Sequence, residues 1–275
     1  MQCYKNGVLQ SSISLQDRAF HYGDGCFTTA VVQRDGILLW HWHLKRLELA
    51  RQRLALNFDI SIIEKTMEQL ISSHHAQGLS LNGTIKIVIS RGEGPRGYAF
   101  PMHPADVWLF FYPSLSAHAF ATSYIDSGVL DVRLGICMPQ LRGLKTLNRL
   151  EQVLIKQEAL YKDWSEALVA DINGNIVEGI SSNCFIYMDK RWITPNLEYN
   201  GVQGVMREEI LYRMHQAGIQ CEIGRISLAQ CLQIEALFFC NALNPMQVAT
   251  TLQNRNLDHQ RASQLFQDLY LDRID

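Results

Sequence analysis

Three tight-turn dipeptides divide this chain into hairpins, and they restrict its fold more than any other feature. Asn6-Gly7, Asp35-Gly36 and Asn173-Gly174 each lie between short apolar stretches. Asparagine or aspartate followed by glycine accepts the left-handed backbone of a two-residue turn, and such turns connect antiparallel strands. We therefore expect antiparallel hairpins in both the first and the second half of the chain.

Residues 1–114 are predicted to form a smaller α+β lobe. A capping-box pattern, Ser61 with Glu64, marks the start of one helix. The apolar residues of an earlier helix recur at helical spacing and are Leu44, Leu47, Ala50 and Leu54. The predicted strands on either side of these helices are 27–33, 37–40, 84–90 and 107–112. Strands, then helices, then strands indicate an α+β arrangement rather than a doubly wound one.

Residues 113–120 read as a linker, and residues 120–275 are predicted to form a larger α+β lobe. Its predicted strands are 129–137, 167–171, 175–178, 183–188, 191–193 and 237–240. The helix after Lys145 has a predicted inner stripe of Leu150, Val153, Leu154, Gln157 and Leu160. A later helix begins at Gly204, and its predicted inward residues are Ile210, Leu211, Met214 and Ala217.

Composition and charge argue against several classes of function. The formal net charge is −2, which gives no electrostatic reason to bind nucleic acid or an anionic membrane. No apolar run is long enough to cross a bilayer, and the first residues do not resemble a signal peptide. Seven cysteines without CxxC pairs, and histidines without a cluster, predict no disulfide framework and no metal site. We expect reduced thiols and a cytoplasmic location.

Lys145 is the first candidate for chemistry. It lies between Leu144 and Leu147 at a predicted strand-to-helix junction, where side chains commonly point into a cleft. A partly desolvated ammonium has a lowered pKa, and its neutral amine can attack an aldehyde. From this position alone a surface lysine at a helix start is the commoner case, so the companion residues decide.

Glu178 ends an apolar strand just after a tight turn. A carboxylate that faces inward there needs a protonated or cationic partner, and the ring nitrogen of pyridoxal 5′-phosphate (PLP) is one. After Gly204, the backbone N–H groups of a helix start could hold a phosphate, and Arg46 could add the positive charge. A solvent-exposed glutamate, an ordinary helix start and an exposed arginine are the alternative interpretations.

Two segments could contact a substrate. Phe27 and Thr29 are two residues apart on a predicted strand and so face the same side. Arg96 lies in a glycine-rich loop that follows an apolar strand, where a guanidinium could lie over a carboxylate. The alternative interpretation of Phe27 and Thr29 is the routine alternation of a strand. For Arg96 the alternative is a solvent-exposed basic turn that binds no substrate.

Taken together, these segments resemble the class IV aminotransferase family. The resemblance covers nearly the whole chain, in order and with the expected spacing. The matching stretches are 22–29 (YGDGCFTT), 43–47 (HLKRL), 89–98 (ISRGEGPRGY), 143–153 (GLKTLNRLEQV), 178–185 (EGISSNCF), 201–207 (GVQGVMR) and 240–243 (CNAL).

The resemblance implies a two-lobed D-amino-acid aminotransferase-like fold (fold type IV), with PLP in the cleft between the lobes, and a homodimer. It implies that Lys145 forms the Schiff base with PLP and transfers protons, that Glu178 pairs with the ring nitrogen, and that Thr29 assists catalysis. The implied cofactor-binding residues are Lys145, Glu178, Arg46, Asn183, Val205, Met206, Asn241 and Ala242. The implied substrate-binding residues are Phe27, Thr29, Arg96 and Tyr98.

Within the family the motifs resemble the lyases more than the transaminases. Transaminases commonly carry glutamate at the position of Thr28, and serine or threonine within 241–243. The lyase resemblance implies conversion of 4-amino-4-deoxychorismate to 4-aminobenzoate, a folate precursor, and pyruvate. Residues 244–248 depart from the usual proline–valine ending of that loop. The alternatives are a transaminase for D-amino acids or branched-chain amino acids, and a non-catalytic dimeric scaffold that binds no PLP.

Overall fold

The structure is a computed structural model that describes residues 1–116 and 118–274, and its internal contacts divide the chain into two compact units. The first unit contains residues 1–118 and the segment 144–148, and the second contains 119–143 and 149–274. Both units combine helices with sheet, which confirms the α+β fold class. Ala117, inside the predicted linker, lies outside the described residues. The lobe boundaries 1–114 and 120–275 stay a prediction.

The first unit is built on an antiparallel sheet with helices against it. In chain order its elements are β1 (Gln2–Lys5), β2 (Val8–Leu9), α1 (Arg18–Tyr22), β3 (Gly25–Gln33), β4 (Gly36–Ile37), α2 (Trp40–Arg53), α3 (Ser61–His75), β5 (Gly83–Ser90) and β6 (Asp106–Pro113). The described sheet has six strands in the order β2-β1-β6-β5-β3-β4, and all of its neighbours pair antiparallel. β5 pairs along its whole length with β3, and both strands lie in the interior of the sheet.

Apolar side chains of α2, α3 and the central strands form the core of this unit. Its fully buried members include Leu47, Ile63, Leu70, Ile85 and Phe111. Each such side chain contributes about 1.5–3 kcal/mol to the free energy of unfolding. Along β3, Cys26, Thr28, Ala30 and Val32 are buried on one face, and Phe27 and Thr29 are half-buried on the other. The alternation predicted for this strand is therefore present.

Local geometry differs from the sequence-based expectation at two turns of the first unit. The β3–β4 turn has left-handed backbone at Arg34 and Asp35, and Gly36 already pairs with Gln33, so the turn lies one residue earlier than predicted. The predicted strand 37–40 is wrong beyond Ile37, because α2 begins at Trp40.

The capping box at the start of α3 is also wrong. Asp59, two residues before the helix, accepts hydrogen bonds from the backbone N–H and the hydroxyl of Ser61, at 2.9 and 2.7 Å. A carboxylate satisfies the helix start more strongly than a hydroxyl, and it acts here from outside the Ser61–Glu64 pattern.

The second unit contains two described sheets. In chain order its elements are β7 (Ser123–Ser127), β8 (Val129–Leu134), α4 (Leu150–Tyr161), β9 (Leu168–Asp171), β10 (Ile176–Glu178), β11 (Asn183–Met188), β12 (Arg191–Pro195), α5 (Val205–Gln216), β13 (Cys221–Gly224), β14 (Ala236–Cys240), β15 (Gln247–Leu252), β16 (Arg255–Asn256) and α6 (His259–Asp268). The smaller sheet has the order β10-β9-β8. The larger has the order β13-β12-β11-β14-β15-β16, with β7 beside β15. β7 has no counterpart among the predicted strands.

The predicted inner stripe of α4 lies on the surface. Ile155 and Ala159 are the buried residues of this helix, and they pack with Leu130 and Val169. The predicted stripe residues are exposed, at 72% for Leu150, 60% for Val153, 49% for Leu154 and 67% for Leu160. Gln157 is exposed as well. Apolar residues occupy two faces of α4. The prediction from periodicity took the wider apolar face as the inner one, whereas the structure buries the other face.

The predicted inward face of α5 is right for Ile210 and Met214, which are buried. Ala217 is exposed, because the helix ends at Gln216. Of the helices in the described ranges, none is long and apolar enough to span a bilayer.

Candidate active site

Lys145 lies in the segment 144–148, which belongs to the first unit rather than to the second, where it was predicted. The backbone N–H of Phe27 donates to the carbonyl of Lys145 at 2.9 Å, and that of Leu147 donates to the carbonyl of Gly25 at 3.1 Å. Leu144 is buried in the core of the same unit. Lys145 is therefore held in extended backbone against the start of β3, and α4 begins only at Leu150.

Two ammonium groups flank the ring of Phe27. The Nζ atom of Lys145 lies 4.8 Å from the ring centroid, and the Nζ atom of Lys86 lies 4.9 Å from it. Lys86 is also the cross-strand partner of Thr29. The structure thus brings three predicted site residues, Phe27, Thr29 and Lys145, to one place and adds Lys86 to them.

Lys86 was missed by the sequence analysis. The signal was a lone charged residue in the apolar strand Ile85-Lys86-Ile87-Val88, at a half-buried position. A lysine in the interior of a central strand is uncommon, because burial of its charge is costly without a partner anion.

Arg46 lies in a buried polar cluster with Thr28 and His43. A guanidinium nitrogen of Arg46 donates to the hydroxyl of Thr28 at 3.3 Å, and that hydroxyl lies 2.6 Å from Nδ1 of His43. Burial, together with the charges of Arg46 and His41, lowers the pKa of His43 to about 3. The Thr28 hydroxyl therefore shares one hydrogen bond with the neutral imidazole, and its oxygen also accepts from Arg46.

The glycine-rich loop that carries Arg96 and Tyr98 is tied down by Arg18. One guanidinium nitrogen of Arg18, a buried residue, donates to the carbonyls of Gly97 and Ala99 at 2.9 and 3.1 Å. Arg96 is exposed, and Tyr98 is 87% exposed. The two predicted substrate residues therefore lie on the surface of the first unit, in a loop whose backbone carbonyls are hydrogen-bonded by Arg18.

Asp24 is shared by two buried cations under this loop. It accepts from Nε of Arg18 at 2.8 Å and from Nε of Arg91 at 2.9 Å. Arg91 also donates to the carbonyls of Leu54 and Ala55 at 2.6 and 3.0 Å. These charge-assisted bonds fix both ends of the loop to the sheet and to the end of α2.

In the second unit, Glu178 and Asn183 share one backbone partner. The carboxylate of Glu178, a buried residue, accepts from the N–H of Val202 at 2.9 Å, and the Asn183 amide donates to the Val202 carbonyl at 2.8 Å. Burial lowers the pKa of Arg149, and the nearby Glu178 carboxylate opposes that effect. Glu178 therefore faces inward with a cation nearby, as its position predicted, and Arg149 was missed.

The start of α5 lies against Asn183. Gly204 caps the helix, and a Cβ atom there would overlap Oδ1 of Asn183, so glycine permits the close approach. Val205 and Met206 follow as buried residues of the first turn. In the first turn of a helix the backbone N–H groups have no acceptor within the helix. The N–H groups of Val205 and Met206 can therefore donate to an anion.

The side chain of Asn241 orders the loop that follows β14. Its amide nitrogen donates to the hydroxyl of Ser182 at 3.0 Å, and its amide oxygen accepts from the N–H groups of Leu243 and Asn244 at 3.0 and 2.9 Å. The side chain thus shapes the loop after β14, in which Ala242 is half-buried.

Each unit contains donors whose chemistry suits part of PLP. The first unit supplies the amine of Lys145 and the guanidinium of Arg46, and the second supplies the carboxylate of Glu178, the start of α5 and the loop at Asn241. An amine suits the aldehyde, a carboxylate suits the ring N–H, and cations with backbone N–H groups suit the phosphate. No group of three or more His, Cys, Asp or Glu residues in the described chain could hold a metal ion.

Comparison with known proteins assigns the chain to a family. Residues 25–251 match amino-transferase class IV. The chain belongs to the class IV aminotransferase family. An aminodeoxychorismate lyase of Vibrio harveyi is 32% identical to it over 86% of each chain, and one of Bacillus subtilis is 25% identical over 92% of this chain and 87% of that one. The family is PLP-dependent, so PLP is the cofactor.

A solved class IV structure shares the fold. The crystal structure of 4-amino-4-deoxychorismate lyase from Pseudomonas aeruginosa is 30% identical, has a TM-score of 0.84 and covers 98% of each chain. The expected two-lobed class IV fold is confirmed. The roles assigned above to single residues stay predictions.

Proposed function

We propose that this chain is a PLP-dependent lyase that converts 4-amino-4-deoxychorismate to 4-aminobenzoate and pyruvate, a step of folate biosynthesis. The observation that carries the proposal is the similarity to two lyases at 30% identity or more over most of their length, one of them a solved structure. The lysine motif at 143–153 and the Cys-Asn-Ala-Leu stretch at 240–243 support it.

PLP would be held by Lys145, Glu178, Arg46, Asn183, Val205, Met206, Asn241 and Ala242. When bound, it supplies an electron sink next to the substrate amine. Glu178 would hold the ring N–H, and the start of α5 and Arg46 would be the groups that bind the phosphate. Arg46 is itself oriented by Thr28, whose hydroxyl it contacts.

Lys145 transfers the proton in the proposed reaction. Its amine removes the proton from C4 of the substrate, and the enolpyruvyl ether bond breaks as the ring becomes aromatic. The proton is then delivered to the methylene carbon of the leaving enolpyruvyl group, which gives pyruvate. Thr29 lies on the same face of β3 as Phe27, whose ring centroid is 4.8 Å from the Lys145 amine, and its hydroxyl would orient that proton.

The substrate carries two carboxylates, and the first unit offers cations to bind them. Lys86 lies beside Phe27 and opposite Thr29, and Arg96 is presented by the loop before Tyr98. Cations at these positions favour a dianionic substrate over a monocarboxylate amino acid, because each desolvated carboxylate gains a partner.

The experiment supplies the purified, PLP-loaded protein with enzymatically made 4-amino-4-deoxychorismate and measures 4-aminobenzoate by fluorescence and pyruvate by a coupled assay. We expect the two products in equal amounts. A protein that holds PLP, makes neither product, and instead converts its PLP to the pyridoxamine form with D-alanine or leucine would be a transaminase. A protein that holds no PLP would contradict both the lyase and the transaminase assignments. The non-catalytic scaffold would then be the remaining interpretation.

We infer that the active form is a homodimer. The face of α4 formed by Leu150, Val153, Leu154, Leu160 and Tyr161 is apolar and exposed. Exposed apolar patches of this kind usually mark an interface, and a second copy of the chain would bury them. The remaining partner we propose is the small-molecule substrate, with neither nucleic acid nor membrane.

We also place the enzyme in the cytoplasm. The seven cysteines are free thiols, and four of them, Cys26, Cys184, Cys231 and Cys240, are buried. Burial raises the pKa of Cys26 to about 12, so its thiol stays protonated and unreactive. A chain with several free thiols suits a reducing compartment.

A further inference from the structure

Glu166 is a buried carboxylate to which no role has been given. It precedes β9 and is only 2% exposed. Its oxygens accept from the backbone N–H of Ile180 at 2.7 Å, from the Ser181 N–H and hydroxyl at 3.3 and 2.9 Å, and from the Ser182 hydroxyl at 2.7 Å. The donors all lie in one short turn, 179–182, so a single side chain organises that turn.

This turn joins two of the proposed cofactor residues. β10 ends at Glu178 and β11 begins at Asn183, so the four residues between them set how the two side chains stand to each other. The turn is closed by a hydrogen bond from the Gly179 N–H to the Ser182 carbonyl at 2.6 Å. A Cβ atom on Gly179 would come within 2.6 Å of a Glu166 oxygen, so the carboxylate and the turn are in close contact.

A second connection leads from Glu166 to the loop after β14. The Ser182 hydroxyl donates to Glu166 and accepts from the Asn241 amide at 3.0 Å. Asn241 in turn accepts from the N–H groups of its own loop. Glu166 is therefore linked through one serine to the proposed phosphate side and through the turn backbone to the proposed ring-nitrogen side.

Burial raises the pKa of the Glu166 carboxyl, and the hydrogen bonds from Ser181, Ser182 and Ile180 only partly oppose that effect. The chain thus keeps a carboxyl group here although burying it is unfavourable. A hydrophobic residue of similar size would leave two backbone N–H groups and two hydroxyls of the turn without acceptors, which is a larger cost.

We propose that Glu166 is a positioning residue for the cofactor, which fixes the 179–182 turn and thereby holds Glu178, Asn183 and Asn241 in the arrangement that binds PLP. This inference rests on the proposed PLP site. Glu166 itself contacts neither PLP nor substrate in this scheme, and it acts through the turn backbone and the Ser182 hydroxyl.

The test measures the PLP dissociation constant of wild type, Glu166→Gln and Ser182→Ala by fluorescence titration of the apoprotein, with the visible absorbance maximum of the bound cofactor as a second readout. We expect PLP binding about tenfold weaker in Glu166→Gln, because one carboxylate oxygen becomes an NH2 group that cannot accept hydrogen bonds from the turn, together with a shifted absorbance maximum. Ser182→Ala should weaken binding less, because the backbone bonds to Glu166 remain.

In the double variant Glu166→Gln/Ser182→Ala, the loss of PLP-binding free energy should be smaller than the sum of the losses in the two single variants. The effects are not additive because both residues act in one network. The matched control is Asp171→Asn. Asp171 is a buried carboxylate on the same β9–β10 hairpin and accepts from the N–H groups of Asn173 and Asn175, each at 2.9 Å, at the opposite end. It should lose stability and keep wild-type PLP affinity.

Unchanged PLP affinity in Glu166→Gln and Ser182→Ala, or an equal loss in Asp171→Asn, would overturn the inference and reduce Glu166 to a structural residue. Should Glu166→Gln fail to fold, Ser182→Ala keeps the carboxylate and decides the same question. A wild-type protein that binds no PLP would instead overturn the proposed function, and this inference with it.

Discussion

Two lysines lie beside the ring of Phe27, and we propose different roles for them. Lys145 is carried by a short segment hydrogen-bonded to β3, and Lys86 projects from β5. Their amines lie at similar distances from the same ring, 4.8 and 4.9 Å. Only Lys145 lies in the family motif, so we assign the covalent chemistry to it and the binding of an anion to Lys86.

Replacement of Lys145 tests the first assignment. We expect Lys145→Ala to lower turnover at least about 100-fold, because it removes the group that transfers the proton, and to lose PLP on gel filtration. Steady-state rates and the absorbance of the desalted protein measure both effects. Lys45→Ala, a change of an exposed lysine on α2, is the control and should behave as wild type. Retained turnover in Lys145→Ala would refute the assignment.

Replacement of Lys86 tests the second. Lys86→Met keeps an unbranched side chain next to Phe27 and removes the charge that lies 4.9 Å from its ring. We expect the KM for 4-amino-4-deoxychorismate to rise about tenfold while the PLP dissociation constant stays the same, because one carboxylate loses a charged partner. Initial-rate kinetics and a PLP titration separate the two quantities. A change in PLP affinity with an unaltered KM would place Lys86 on the cofactor instead.

Among the helices, α4 differs most from the prediction made for it. One face, with Ile155 and Ala159, belongs to the core of the second unit. The opposite face is apolar as well and remains exposed. A helix with two apolar faces can pack inside its own chain and bind a second chain, and this is the basis of the proposed dimer.

A charge on the exposed face of α4 should therefore disrupt the dimer. We expect Val153→Asp to raise the dimer dissociation constant about tenfold or more, because it buries an unpaired carboxylate in the interface. Sedimentation velocity over a range of concentrations measures the change. Ile172→Asp provides the comparison, since Ile172 is 63% exposed and Val153 60%. Equal dimerisation in wild type and Val153→Asp would rule out this face.

For the whole molecule, pH dependence should report the buried cluster at His43. The folded-state pKa of His43 is about 3, well below its ordinary value. A depressed pKa means that the unfolded chain binds the proton more strongly, so stability is present above about pH 6.5 and is lost as the pH falls toward the folded pKa. Arg46 and His41 are the charged neighbours that add to burial in this shift.

We therefore expect the free energy of unfolding to fall by up to about 1.4 kcal/mol per pH unit below pH 6.5 through His43 alone. His43→Gln has no proton to bind, and its unfolding free energy should depend less steeply on pH in that range. Urea denaturation at several pH values measures both slopes. His215→Gln, on the exposed side of α5, is the control variant. Parallel slopes for wild type and His43→Gln would contradict the prediction.

Sequence by itself determined the parts of this protein that depend on local chemistry. The Asn-Gly turn of β1–β2 and the β9–β10 hairpin require residues that accept a left-handed backbone, and such residues are visible without any fold. The motif around Lys145 and the end of the strand at Glu178 also stand out in the sequence by their local composition, and the roles assigned to these two residues stay predictions.

Tertiary structure decided which partners those residues have. Lys145 follows the second unit's first strands in the chain, yet its backbone bonds to β3 place it in the first unit. Glu166 and Lys86 lie outside the motifs, and their contacts are with donors and a ring that are distant in sequence. The buried face of α4 was likewise undetermined, because periodicity records that a face is apolar and not what covers it.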